Sequence, residues 1–312
     1  MITGLLGWTA RQGRYALVAG LLAGALLPGL AEALRFAVAP LIVALLFLAV
    51  LRLGPDGLRT GAVRLPAACA LTILLQLVLP LAAAAAFALA GVLEHPLARG
   101  TVLVLAAAPI TGSANLALLM GAEPVAALRQ LVLGTALLPL TVVPVFAVMP
   151  GFGGVGDVVL AALRLLAIIS LAAGAALLLH RVMRFQPAAR VLGAIDGLSA
   201  ILLALVVIGL MSAIGPALHE APLRLALTLG ACFAINLPLQ LLVCQLAARR
   251  DPKAAPALGI VAGNRNAALF LSILPAATAD ELMLFIGCFQ IPMYLTPLML
   301  GGWYRRAAAR GG

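Results

Sequence analysis

The stretch Pro109-Ile-Thr-Gly-Ser-Ala-Asn115 interrupts a run of apolar residues that extends from about 100 to about 121. A second stretch of the same kind, Ala262-Gly-Asn-Arg-Asn266, interrupts another apolar run at about 256–278. Proline and glycine open an α-helix, and both stretches add small polar residues and end in asparagine. Because each run is long enough to cross a bilayer, the two stretches predict two broken membrane helices.

Apolar runs of this length make up most of the chain. Of its 312 residues, 64% are hydrophobic and 10% are charged, whereas a soluble domain is about a quarter charged. The runs are continuous rather than alternating, which argues against a β-barrel and predicts α-helices that satisfy their own backbone hydrogen bonds. We expect ten membrane spans, with the breaks in the fourth and ninth. Their approximate bounds are 15–31, 36–53, 65–92, 100–121, 125–149, 155–179, 192–215, 222–248, 256–278 and 281–303.

The net charge of +10 fits a membrane protein. In a soluble protein it would suggest a nucleic-acid partner, which we do not expect here. The basic residues lie between the apolar runs and alternate in density, as the positive-inside rule requires. The basic side includes Arg249, Arg250, Lys253, Arg305 and Arg306. This pattern predicts an even number of spans and both termini in the cytoplasm. We expect the protein to lie in a bacterial inner membrane, in contact with its lipids.

The two halves of the chain resemble each other weakly. Asn115 and Asn266 end the two breaks and are 151 residues apart. Pro139-Leu-Thr-Val-Val-Pro144 resembles Pro292-Met-Tyr-Leu-Thr-Pro297 at an offset of 153. Since each half holds five spans, an odd number, the second half must cross the membrane in the opposite sense. The predicted fold is therefore an all-α polytopic membrane protein of two inverted five-helix repeats, residues 1–150 and 151–312, forming one membrane domain with broken, crossing helices four and nine.

Inverted repeats with paired broken helices are the plan of many secondary transporters, whose substrates bind at the breaks. The alternative is a pair of simple kinks packed against their neighbours. Two kinks at one offset, each with clustered polar side chains, favour a binding site. The candidate substrate-binding residues are polar side chains in or near the breaks and in spans three and ten: Gln76, Thr111, Ser113, Asn115, Asn264, Arg265, Asn266 and Gln290.

Polar side chains inside membrane helices also hold helices together. For Gln76, Asn236 and Gln240 this explanation and a binding role remain equally open. For Thr135 and Thr141 we favour either this helix-holding role or a bond back to their own helix. Arg265 differs, because a guanidinium at mid-membrane costs about 2.5–3.5 kcal/mol or more.

No acidic residue lies deep in any apolar run to pair with Arg265. Its partners must be carbonyls, a helix C-terminus, water or an anionic substrate, and we favour a carboxylate receptor over a purely structural role. Arg129, one turn into span five, is explained by snorkelling to the interface.

With these motifs the chain resembles the bile acid:sodium symporter family. The resemblance covers the whole chain and is carried by the two breaks, by the proline motif of span five, and by Gln76 in span three, where the family has a glutamine. It implies a panel domain of spans 1, 2, 6 and 7 that moves against a core domain of spans 3–5 and 8–10. It also implies a symporter that alternates access to a site near the crossing of spans four and nine. Family members typically carry organic anions together with two sodium ions.

The chain departs from this family where sodium should bind. The family's ligand positions fall on Ala114, Leu128, Val132, Val261 and Arg265. A hard cation needs several oxygen ligands, which these side chains do not supply, and a guanidinium repels it. We therefore expect that classical two-sodium coupling is lost, that sodium is a doubtful cofactor, and that no other cofactor or metal is needed.

Several alternatives follow from the same residues. An arsenite carrier of this superfamily should have a cysteine in span four, whereas Cys69, Cys232, Cys244 and Cys288 fall in spans three, eight and ten and are expected to be free thiols. A cation/proton antiporter needs acidic residues in the breaks. An enzyme is not expected, because the chain lacks HExxH, GxSxG and paired carboxylates. An auxin-carrier-like efflux protein and a non-transporting receptor or scaffold remain open, as do the substrate, the direction of transport and the oligomeric state.

Overall fold

The computed structural model describes residues 6, 13–61, 65–182 and 188–311. In this part the chain is helical, and its β-structure is limited to one isolated antiparallel bridge, between Pro109 and Arg265. A π-helical turn, Leu74–Val78, joins α4 to α5, and a 3₁₀-helix, Ala267–Ser272, follows α13. The α-helices are α1 Gly13–Leu26, α2 Pro28–Arg35, α3 Val38–Gly61, α4 Leu65–Ile73, α5 Leu79–Leu89, α6 Pro96–Ala106, α7 Ser113–Leu119, α8 Pro124–Ala147, α9 Val155–Val182, α10 Ala189–Leu210, α11 Ile214–Glu220, α12 Pro222–Ala248, α13 Ala255–Gly263 and α14 Ala276–Gly311.

Within the described part, seven helical stretches are long and apolar enough to cross a membrane. They are α3, α4 to α5, α8, α9, α10 to α11, α12 and α14. The number rises to eight if α1 and α2, which are bent by 105° at their junction, form one span. These helices make the chain an α-helical polytopic membrane protein, as the apolar runs predict.

The structure departs from the predicted segments where proline or glycine acts. The first predicted span bends at Leu27, because Pro28 begins a new helix there. The second span, Val38–Pro55, ends close to the predicted 53, because Gly54 is non-helical; its φ of 61° is in the left-handed region that favours glycine, and a further helical segment follows to Gly61. The fourth and ninth segments are each split into two short helices, so neither reaches the length of a continuous span.

The helices pack into two groups. In the first group α9 packs against α3, and α10 packs against α1, α2 and α3. In the second group α12 packs against α13 and α14, and α8 contacts both α7 and α13. Close approach in the first group depends on small residues: a Cβ at Gly24 would lie 2.6 Å from Cβ of Met211. Membrane helices commonly approach one another through such positions.

Charged side chains pair at the helix ends. Arg35 pairs with Asp280, and Nη1 of Arg99 donates to Oε2 of Glu281 at 2.5 Å. All four residues belong to the side of the membrane opposite the basic loops by the charge pattern. The two ion pairs therefore join the end of α2 and the start of α6 to the start of α14.

Candidate functional site

The two breaks meet in the interior and are joined by backbone hydrogen bonds. The N–H of Ile110 donates to the carbonyl of Asn264 at 2.9 Å, and the N–H of Asn266 donates to the carbonyl of Ala108 at 2.7 Å. These bonds form the antiparallel bridge between Pro109 and Arg265. Helix ends and breaks leave backbone groups without helical partners, and such groups must find partners elsewhere in a membrane protein. The bridge shows that each break supplies those partners to the other.

Arg265 lies at the centre of this junction and is 1% exposed. Its Nη2 donates to two backbone carbonyls, that of Leu75 at 2.8 Å and that of Leu105 at 3.0 Å. Leu75 belongs to the π-helical turn and Leu105 to the last turn of α6. The guanidinium therefore binds one carbonyl from the third predicted span and one at the negative end of the α6 dipole.

Two prolines explain why these carbonyls are free. In a continuous α-helix the carbonyl of Leu105 would accept the N–H four residues later, but that residue is Pro109, which has none. The N–H of Leu79 donates to Leu74 rather than to Leu75, and the residue after it is Pro80, which again has no N–H to offer. Pro80 and Pro109 thus release the two carbonyls that hold Arg265.

Behind the second break lies a closed network of buried polar side chains. The Oδ1 of Asn264 contacts Nδ2 of Asn236 and Oγ1 of Thr296, both at 3.3 Å. Nε2 of Gln240 donates to Oδ1 of Asn236 at 2.7 Å and to Oγ1 of Thr296 at 3.0 Å, and the hydroxyl of Tyr304 donates to Oε1 of Gln240 at 3.1 Å. All five residues are 0% exposed. For Asn236 and Gln240 this geometry favours the helix-holding role.

A smaller polar group stands behind the first break. Oγ1 of Thr72 donates to Oε1 of Gln130 at 2.9 Å, and Nε2 of Gln76 donates to the carbonyl of Gly134 at 3.2 Å. A Cβ at Gly134 would lie 2.6 Å from Cδ of Pro109, so the glycine lets the break rest directly on α8. Oε1 of Gln76 is buried and has no hydrogen-bond partner among the described residues.

The candidate binding residues separate into accessible and buried sets. Asn115 is exposed, and Thr111 and Asn266 are half-buried. No side-chain hydrogen bond joins these three to other described residues. The buried set comprises Gln76, Ser113, Asn264, Arg265 and Gln290. The side chains of the first set reach the surface of the described structure, and those of the second set do not.

Three expectations are sharpened or corrected by the side chains. Asn115 does not end the first break, because α7 already begins at Ser113 and Asn115 lies in its first turn. Gln290 donates to the carbonyl of Ile286 in its own helix at 3.0 Å and forms no hydrogen bond with the breaks. Thr141 bonds back to its own helix, at Leu138, as predicted.

Carbonyls and a helix C-terminus were among the partners predicted for Arg265, but the two carbonyls themselves were not identified from the sequence. The buried partners that were not predicted are Thr72, Gln130, Thr296 and Tyr304. A proline that follows four or five residues after a position in a membrane helix is the signal that would have pointed to the acceptor carbonyls. The i, i+4 pairs of polar residues in spans three and eight are the signal for the networks.

The described residues contain no cluster of three or more His, Cys, Asp or Glu that is arranged to hold a metal ion. All four cysteines are free, and three of them are buried. No model of a known protein family matches the sequence, and no curated protein matches it at a significant level. Function is therefore inferred from the residues of the two breaks.

Proposed function

We propose that this chain is a secondary transporter that moves a small organic anion across the membrane by alternating access. The proposal rests on one observation: two broken apolar helices meet around the buried guanidinium of Arg265. Non-helical backbone at membrane depth is tolerated where it is buried in protein or lines a watery cavity, and paired breaks of this kind mark transporter binding sites.

The proposed architecture has ten spans in two inverted five-helix repeats. Ten results when α1 with α2, α6 with α7, and α13 with the 3₁₀-helix each count as one span beside the seven continuous ones. In both halves a polar side chain of the third span binds the fifth span: Thr72 and Gln76 contact α8, and Gln240 contacts Thr296 of α14. This parallel supports the repeat.

The proposed division into moving parts follows the two packing groups. α1, α2, α3, α9 and α10 would form the panel, and α4 to α8 with α12 to α14 would form the core. The resemblance to bile acid:sodium symporters implies the same division. In this arrangement the core carries the breaks, and rocking it against the panel would expose the breaks to one side of the membrane and then to the other.

The anion is bound by the accessible polar groups of the breaks, Thr111, Asn115 and Asn266, with Arg265 behind them as a fixed positive charge. Arg265 itself is too buried for a soluble anion to contact in this conformation. An anion held about 8 Å from the guanidinium would gain about 2 kcal/mol at an effective dielectric constant near 20. The guanidinium of Arg265 thus attracts the substrate while it keeps its two hydrogen bonds to backbone carbonyls.

The same arrangement removes the need for classical two-sodium coupling. Ala114, Leu128, Val132 and Val261 offer no side-chain oxygen to a cation. The carbonyls of Leu75 and Leu105, which a cation would seek, are occupied by Arg265. The guanidinium supplies permanently the positive charge that a bound ion would supply transiently.

A ligand screen followed by uptake tests this function. Purified protein is heated with a panel of organic acids, with and without sodium, and the stabilising acids are then measured for uptake into proteoliposomes. We expect stabilisation and uptake to be equal in sodium and in choline, and both to be lost in Thr111→Val combined with Asn115→Ala. Ser170→Ala, an exposed hydroxyl of α9, is the matched control and should behave as wild type.

The outcomes against the proposal are specific. Uptake that rises steeply with sodium would show that transport is coupled to sodium and would contradict the fixed-charge mechanism. If no organic acid stabilises the protein, or if uptake is unchanged in the double variant, the breaks do not form the binding site.

A further inference from the structure

A cavity of about 370 Å³ lies away from the two breaks, at one end of α9. Its volume falls in the range of small-molecule sites, about 300–1,000 Å³. One wall is a face of α9 that carries Asp157, Ala161 and Arg164, at i, i+4 and i+7. The opposite wall comes from the end of α8, the connection that follows it, and residues 273–275 after the 3₁₀-helix. The cavity therefore lies between the two packing groups of helices.

The second wall is apolar and aromatic. The rings of Phe146 and Phe152 have centroids 4.3 Å apart, and the ring of Phe146 also contacts that of Phe270 at 5.1 Å. Ile273 and Leu274 continue this wall. Such a surface accepts the apolar body of a ligand, and Phe270 connects it to the 3₁₀-helix that follows the second break.

The two charged residues in the cavity are not equivalent. Oδ2 of Asp157 accepts a hydrogen bond from the N–H of Gly154 at 2.9 Å and so caps the start of α9. Arg164 is exposed to the cavity and forms no ion pair or side-chain hydrogen bond with any described residue. The carboxylate is engaged in the fold, and the guanidinium is available to a ligand.

The depth of Arg164 makes this availability significant. It is nine residues beyond Val155, about 14 Å along the helix axis. The whole of α9, with 28 residues, is about 42 Å long and exceeds the roughly 30 Å thickness of the hydrocarbon core. The helix exceeds the hydrocarbon core by about 12 Å, so Arg164, about 14 Å from its start, lies at or inside the edge of the membrane region. A charged side chain that lines a cavity at this depth is a candidate binding residue.

We propose that this cavity is a second anion site, which binds an amphipathic organic anion. The acidic group pairs with the guanidinium of Arg164, and the apolar body lies against Phe152 and Ile273. Planar guanidinium groups bind carboxylates and phosphates through two parallel hydrogen bonds. A role as the entry site of the carrier rests on the transport function proposed above, whereas the binding itself is tested without transport.

Direct binding to the purified full chain in an uncharged detergent tests the site. The probes are radiolabelled 2-naphthoate and its neutral analogue 2-naphthamide. We expect saturable binding of 2-naphthoate and a loss of affinity of at least about tenfold in Arg164→Gln, as removal of a charge-assisted pair implies. Arg164→Lys should retain part of the affinity. Arg224→Gln removes an exposed arginine that does not line the cavity, and it should bind as wild type.

The neutral probe separates charge recognition from simple partition into an apolar space. Wild type should prefer 2-naphthoate to 2-naphthamide, and Arg164→Gln should lose this preference. Ala161→Phe, which fills the cavity without touching the charge, should weaken both probes. Size-exclusion elution at the wild-type volume confirms that each variant is folded.

An anionic lipid headgroup carries the same chemistry, so binding is repeated in nanodiscs of phosphatidylcholine with and without phosphatidylglycerol. Retained 2-naphthoate binding in both discs supports a soluble anion. Loss of binding whenever phosphatidylglycerol is present, absence of saturable binding at millimolar probe, or equal affinity in Arg164→Gln and wild type would each overturn the proposal. None of these results bears on the breaks, whose test uses Thr111 and Asn115.

Discussion

At the scale of single residues, Arg265 shows how a full charge is kept inside a membrane protein without an acidic partner. Its Nη2 is shared by the carbonyls of Leu75 and Leu105, and hydrogen bonds from charged donors contribute about 1.5–3 kcal/mol each. Carbonyl dipoles at a helix C-terminus add a further favourable field. Arg265 therefore acts as a clamp between three segments of chain, in addition to any effect on a substrate.

The clamp gives a prediction about stability. Arg265→Gln removes the charge and leaves at least one buried carbonyl without a donor, so we expect a loss of about 2–4 kcal/mol and a lower midpoint of thermal unfolding. Arg265→Lys keeps a cation that can reach a carbonyl and should lose less. Arg129→Gln is the control, since Nε of Arg129 has no hydrogen-bond partner among the described residues, and this substitution is expected to have little effect.

The measurement is thermal unfolding of purified protein in one detergent, with all variants handled alike. Equal unfolding midpoints for Arg265→Gln and Arg129→Gln would show that the carbonyl bonds contribute nothing measurable and would contradict the clamp.

At the scale of the helices, two kinds of residue form the breaks: prolines, which lack the backbone N–H donor, and glycines, which lack a side chain. Pro80 and Pro109 delete the N–H groups that would have used the clamp carbonyls. Glycines then allow close packing: a Cβ at Gly263 would lie 2.3 Å from Cγ of Gln240 and 2.5 Å from the carbonyl oxygen of Asn236. α13 therefore reaches the break in direct contact with α12, where Nδ2 of Asn236 donates to the carbonyl of Gly263 at 2.8 Å.

This contact makes Gly263 sensitive to a single methyl group. Gly263→Ala forces α13 away from α12 and should cost about 1–3 kcal/mol, as overpacking does elsewhere. Gly230→Ala lies on the partner helix α12 with no atom within 4 Å of the added methyl and should be neutral or slightly stabilising. Thermal unfolding of the two variants gives the comparison, and similar midpoints would show that α13 tolerates displacement.

The sequence predicted some of these elements more completely than others. Continuous apolar runs identified the membrane helices, because lipid imposes length and composition on any span. The polar interruptions located both breaks to within a few residues, because glycine and proline act locally. The bridge between the breaks and the pairing of Arg265 with Leu75 depend on contacts across up to 190 residues of chain. The prolines show locally which carbonyls are free, but no local pattern shows which donor reaches them.

At the scale of the whole molecule, the proposed inversion of the two halves predicts on which face of the membrane each connection between spans lies. If residues 151–312 repeat 1–150 upside down, the connection between spans three and four corresponds to that between spans eight and nine, and the two must lie on opposite faces of the membrane. Glu94 and Lys253 lie in these connections and are both exposed. The charge pattern places Lys253 in the cytoplasm and Glu94 outside.

Cysteine accessibility decides this point. In a background with the four native cysteines replaced by alanine, Glu94→Cys should react with a membrane-impermeant maleimide in intact cells, and Lys253→Cys should react only after the cells are permeabilised. A cysteine at Arg305, beyond span ten, should follow Lys253→Cys, because ten spans return the chain to the cytoplasm. Labelling of Glu94→Cys and Lys253→Cys from the same face would contradict the inverted repeat, since equivalent connections of parallel repeats share a face and equivalent connections of inverted repeats do not.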